Sequence, residues 1–137
     1  MQNRNDRNHQ VIEEFRMNGG TVGGWFADKT LLLLTTTGAK SGQQRIIPLG
    51  YVSDGERLII SASKAGAPTN PDWYYNLLAH PEVTVEVGNE TFRARATVAT
   101  GEEYQRLDIL VRKLSPIHAE YQARTTRQIP LVVLERA

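Results

Sequence analysis

Apolar positions along the chain recur with two different periods. In residues 8–17, Val11, Ile12 and Phe15 fall at helical spacing beside Arg16, and Gly19-Gly20 stop the pattern, so a short amphipathic helix is expected there. Gly23-Gly24-Trp25-Phe26 then reads as a loop whose adjacent aromatics cap a core more readily than they touch a ligand. From residue 30 the period shortens to two. Strands are predicted over 30–36, 45–52, 57–63, 83–87 and 91–98, with Asp54-Gly55 and Gly88-Asn89 punctuating hairpins. The arrangement reads as an antiparallel meander.

Helical spacing returns twice more. Asn70-Pro71-Asp72-Trp73 opens a short helix, with Asn70 as cap, Pro71 where the missing N–H costs nothing and Asp72 on the favourable end of the dipole. His80-Pro81 ends it. Thr100-Gly101-Glu102-Glu103 is a capping box, and Tyr104, Leu107, Leu110, Val111 and Leu114 form the apolar face behind it. Pro116 breaks or restarts that helix. The apolar run Ile129-Pro130-Leu131-Val132-Val133-Leu134 suits a strand buried on both faces. About six antiparallel strands and three or so helices predict a mainly β, α+β fold, a sheet curling into a small barrel flanked or plugged by helices.

The chain has 137 residues, which is one domain: an N-terminal helix and loop over 1–29 and a barrel over 30–137. Net charge is +1, which gives no reason to expect nucleic acid. There is no cysteine, excluding disulfides and thiolate chemistry and agreeing with a cytoplasmic location. The polar N-terminus does not read as a signal peptide, and no apolar run approaches the ~20 residues of a spanning helix. Peripheral membrane contact and a homodimer stay open. His9, His80 and His118 are far apart in sequence, so no metal site is expected.

Any useful positive charge must therefore be local. Thr35-Thr36-Thr37-Gly38-Ala39-Lys40-Ser41-Gly42 runs from apolar strand into a glycine-bracketed turn and on to Gln43-Gln44-Arg45. Two glycines admit positive φ, so that N–H groups can converge on an anion, with Lys40 as a point charge and Arg45 as a planar fork. An ordinary hairpin turn with solvated side chains fits the same spacing. It is not a nucleotide P-loop, because Ala39 precedes the lysine and a strand follows.

Taken with Ser61-Ala62-Ser63-Lys64-Ala65-Gly66-Ala67-Pro68, with Asn70 to Leu77 and with Arg127-Gln128-Ile129-Pro130, that loop gives the chain its family likeness. It resembles the deazaflavin-dependent nitroreductases, actinobacterial-type split-β-barrel reductases that use reduced coenzyme F-420 and share the FMN-binding split-barrel shape. The resemblance spans about residues 30–134. It implies that Ala39, Lys40, Ser41 and Arg45, Ile46, Ile47, Pro48, Leu49 and Gly50 hold the coenzyme's phosphate-bearing tail and ring edge. It places Ser61, Ala62, Ser63 and Lys64 along the ring, and Asp72, Trp73, Tyr74, Tyr75 and Asn76 at a helix N-terminus beside it. Without the likeness, Trp73 and Tyr74 read equally well as core anchors, Lys64 as a solvated loop lysine and Asn76 as a surface amide.

The activity implied is hydride transfer from reduced F-420 to an electron-poor small molecule: a quinone, an enone or lactone, or a nitro compound. A proton must accompany the hydride, and Ser63, His118 and Tyr121 are the candidate catalytic residues, with His118 also near the coenzyme. In nitroimidazole-activating members tyrosines recur three residues apart before the last strand. Here Ser115 and His118 stand in two of those places and only Tyr121 matches, which predicts an altered acceptor pocket. Two alternatives remain open: FMN in place of F-420, and a non-catalytic coenzyme carrier.

Overall fold

The computed structural model describes residues 4–23 and 30–137. Helix α1 (Arg4–Met17) precedes strands β1 (Leu31–Thr37), β2 (Gln44–Gly50), β3 (Val52–Asp54) and β4 (Arg57–Ser61). A 3-10 turn (Lys64–Gly66) leads to α2 (Asp72–Ala79), β5 (Glu82–Val87), β6 (Glu90–Val98), α3 (Gly101–Leu114), α4 (Ile117–Ala123) and β7 (Leu131–Arg136). The Trp25-Phe26 loop lies outside the described residues.

Seven strands form one sheet in the order β2-β1-β5-β6-β7-β4-β3, every neighbour antiparallel. Two expectations change here. The segment expected as one strand over 45–52 is two, and the order is not a simple meander. Tyr51 is the break, and it separates the two edge strands of the sheet. Edges joined by one residue must meet at that corner, so the sheet curls upon itself. The Tyr51 N–H still donates to the Thr30 carbonyl at 3.2 Å, which holds the corner against the start of β1.

The curl explains the uninterrupted apolar runs. In β1, Leu32 and Leu34 enter the barrel core while Leu31 and Leu33 meet Ile12 and Phe15 of α1. In β7, Val132 and Leu134 face the same core while Leu131 and Val133 meet Leu107 and Val111 of α3. Both strands are covered on two faces, as the composition of β7 predicted. Helix α2 closes the barrel with Trp73 and Leu77, one turn apart and nearly fully buried. Eight residues are too few for a stable isolated helix, so this burial, about 1.5–3 kcal/mol for each side chain, holds it in place.

Neither predicted cap operates through its side chain. Pro71, not Asn70, is the N-cap of α2, because Asn70 Oδ1 accepts from Arg127 Nη1 at 2.7 Å. Thr100 is the N-cap of α3 without a side-chain bond, and Glu103 is drawn to Arg57 (2.6 Å) and Arg106 (3.4 Å) instead of back to the Thr100 N–H. Bonds from two cationic guanidiniums outcompete the one backbone N–H that a capping box would offer this carboxylate. Pro116 does restart the helix, as N-cap of α4.

Candidate functional site

Two cavities adjoin along β2 and the turn after β4. One, of about 850 Å³, is lined by Ala39, Lys40 and Ser41 of the β1–β2 turn and by Arg45, Ile46 and Ile47 of β2. Lys64, Asp72, Trp73, Tyr75 and Asn76 complete it from the opposite side, and Asn8 of α1 stands at its rim. Among the described residues it carries the cations Lys40, Arg45 and Lys64 against the single carboxylate of Asp72. In a chain of net charge +1 this is a local concentration of positive charge, suited to an anion.

The expected loop chemistry is only partly present. The turn is a hairpin, and three of its amides are used within it: Gly38 N–H donates to Gln43 O (2.8 Å), Gly42 N–H to Gly38 O (3.0 Å) and Gln43 N–H to Ser41 Oγ (3.1 Å). Ala39 N–H donates to Asn76 Oδ1 at 3.0 Å. These four N–H groups are committed within the protein, and the side chains of Lys40 and Arg45 supply the positive charge of the turn. Gly42 does adopt positive φ (71°), whereas Gly38 is required for space, since a Cβ there would meet Ser41 Oγ at 2.5 Å. Asn76 also donates to Thr36 Oγ1 at 3.3 Å, so this amide pins α2 to the turn.

The other cavity, of about 420 Å³, lies between the curled sheet and the α3–α4 corner. Leu49, Gly50 and Tyr51 line it from the sheet edge, Ser61 and Ser63 from the end of β4, and Ser115, His118 and Tyr121 from the helices. The three candidate catalytic residues, Ser63, His118 and Tyr121, thus share one space although 58 residues separate the first from the last in sequence. Ala62, Pro48 and Tyr74 line neither cavity: Ala62 is fully buried and Tyr74 packs against the barrel core. Burial raises the Tyr51 phenol above its usual range, which keeps it an O–H donor; strand patterning gave no sign of this role.

His118 is 2% exposed. Its Nδ1 lies 3.0 Å from Ser61 Oγ and its Nε2 faces Asp108 Oδ1 at 3.4 Å. That second contact is longer than an ordinary hydrogen bond, and neither atom has a closer partner. Burial pushes the imidazole's pKa down, with Arg112 adding to it, and outweighs the opposing pull of Asp108. Burial thus favours the neutral imidazole, which weakens the expectation that His118 donates a proton near neutrality. Asp108, on α3, carried no signal in the sequence because its partner is ten residues away on another helix.

The turn carrying Ser63 and Lys64 is strained. Lys64 and Ala65 take positive φ (47° and 54°) before Gly66 (83°). Arg127 holds it: Nε donates to Ala67 O (2.9 Å) and Nη2 to Ser63 O (2.9 Å) and Ala62 O (3.2 Å). With Asn70, one guanidinium organises residues 62–70. Left-handed geometry costs about 1–2 kcal/mol per non-glycine residue, so the turn requires such a clamp.

Comparisons with known proteins place the chain in a family. The sequence profile described as F-420H(2)-dependent quinone reductase matches residues 7–136. An F-420H(2)-dependent quinone reductase of Mycobacterium tuberculosis is 44% identical over 108 residues, covering 77% of this chain and 72% of the relative. Among solved structures, an F-420-H2 dependent reductase is 39% identical with a TM-score of 0.72, covering 77% of this chain and 94% of its own. A chain solved as a domain-swapped dimer is 36% identical with a TM-score of 0.74, covering 97% of this chain and 100% of its own. On the profile match across nearly its whole length, the chain belongs to the F-420H(2)-dependent quinone reductase family.

Proposed function

We propose that this chain passes a hydride from reduced coenzyme F-420 to a quinone or a similarly electron-poor conjugated molecule. The observation that carries the reading is the adjacency of two chemically different cavities, one cationic and one lined by apolar groups and hydroxyls. Lys40, Arg45 and Lys64 suit the anionic tail of the coenzyme, and Trp73 and Tyr75 offer flat apolar surface beside them. When bound, the reduced deazaflavin supplies two electrons as hydride. The residues of the smaller cavity then have three tasks: to seat the acceptor, to exclude water and to furnish hydrogen bonds to the oxygen that gains charge. Ser63, Tyr51 and Tyr121 offer hydroxyls for this, with Leu49 and Val111 as apolar walls.

The family description favours F-420 over FMN, and the open acceptor-side cavity favours a reductase over a carrier. Anaerobic oxidation of reduced F-420 by 2-methyl-1,4-naphthoquinone, followed by recovery of the oxidised coenzyme's absorbance, tests the proposal. Turnover that depends on both protein and quinone is expected. Tight binding of F-420 without oxidation by any quinone would leave the carrier reading in its place.

A further inference from the structure

The line Asp108–His118–Ser61 ends in the smaller cavity, and its hydrogen positions follow from charge. Asp108 is ion-paired through Oδ2 to Arg112 Nε at 3.0 Å, so it is a carboxylate and only accepts. A bare Nε2 lone pair facing Oδ1 at 3.4 Å would be repelled, so His118 carries its proton on Nε2. Nδ1 is then an acceptor, and the one proton of Ser61 must point to it across 3.0 Å. The Ser61 lone pairs are what remain to face the cavity.

We infer that Ser61 is a specificity-determining contact that presents a hydrogen-bond acceptor to the substrate, selecting quinones that carry an N–H or O–H donor on the ring beside the carbonyl. This rests on the quinone reductase reading. A plain quinone offers only acceptor oxygens and gains nothing from such a group. Protonating His118 weakens that preference: Nδ1–H then donates to one lone pair of Ser61 Oγ, and the serine O–H turns to the cavity to compete with the one acceptor site that remains. The charged and titratable groups around the ring are Asp108 and Arg112 on α3 and, across the cavity, Tyr51 and Tyr121. Asp108 favours the protonated ring while Arg112 and burial oppose it, so this weakening belongs below the ordinary histidine range.

The test is calorimetric titration of 2-methylamino- and 2-dimethylamino-1,4-naphthoquinone into the protein in the presence of oxidised F-420. The pair differs by the one donor hydrogen. At pH 7.5 the ratio of dissociation constants should favour the methylamino compound by about fivefold to tenfold more in the wild type than in Ser61→Ala, the scale of one hydrogen bond. As pH is lowered below the ordinary histidine range the wild-type ratio should fall toward the Ser61→Ala value, and in His118→Phe, where the serine proton is released, it should already be lower at pH 7.5. Equal ratios in wild type and Ser61→Ala overturn the inference, as does undetectable binding of both compounds. Should Ser61→Ala fail to fold, the wild type decides alone, since equal dissociation constants for the two compounds at pH 7.5 overturn it. Loss of F-420 oxidation with an intact donor preference would instead count against the reductase reading.

Discussion

Lys40 and Arg45 are exposed, and among the described residues no carboxylate pairs with either. They contribute little to folding and are free to meet an anion. Replacing either by alanine should weaken F-420 binding by about 1–3 kcal/mol with the melting temperature nearly unchanged, measured by titration and thermal unfolding. Arg127 should behave in the opposite way. Its guanidinium satisfies three carbonyls and the Asn70 amide, so Arg127→Ala should cost about 2–4 kcal/mol of stability on denaturant titration. Arg127→Lys should recover only part, since one ammonium cannot reproduce the fork. Residue chemistry made Lys40 and Arg45 legible in the sequence. The grip of Arg127 was not, because its partners lie about 60 residues upstream and are mostly backbone oxygens without sequence signature.

At the scale of elements, the β3–β4 hairpin is fastened to α3 by charge. Asp54 lies between Arg57 (2.5 Å) and Arg106 (2.8 Å), and Glu103 also meets Arg57. Hydrogen bonds from Arg106 and then Arg57 hold the Asp54 carboxyl far below the usual carboxylate range. A depressed folded pKa contributes stability above the unfolded value of about 4, and that contribution is lost as pH falls toward the folded value. The wild type should therefore lose more stability than Asp54→Asn on acidification from pH 5 to 2, read as melting temperature. The strained turn gives a second expectation. Ala65→Gly relieves positive φ and should leave stability unchanged or raise it by up to about 1 kcal/mol, the entropy of the unfolded glycine offsetting part of the gain. The sequence showed where helices and strands begin because period and turn residues are local properties. It joined β2 and β3 into one strand because Tyr51 is an acceptable strand residue, and only the closing of the sheet separates them.

For the whole molecule, the decisive feature is how charge divides between two neighbouring cavities. The sheet curls at Tyr51, so β2 borders both: Arg45, Ile46 and Ile47 line the larger, while Leu49 and Gly50 line the smaller. The pleat and the corner thus send a cationic stretch and an apolar stretch of one strand to different cavities. Sequence alone located both stretches but had no way to measure the distance from residues 61–63 to residues 115–121, because α2, two strands and α3 intervene. Among the described residues, no Lys or Arg side chain lines the smaller cavity, whereas three such side chains and one acid line the larger. Attraction between exposed charges is screened over a Debye length of about 8 Å at physiological salt and about 3 Å at 1 M. Coenzyme affinity should accordingly fall by a large factor as salt rises from 0.05 to 1 M, while affinity of a neutral quinone for the coenzyme-loaded protein should stay level or rise slightly. Titrations of F-420 and of 2-methyl-1,4-naphthoquinone across that range check this. Equal salt dependence for the two ligands would mean that the cationic cavity does not hold the coenzyme's anionic tail.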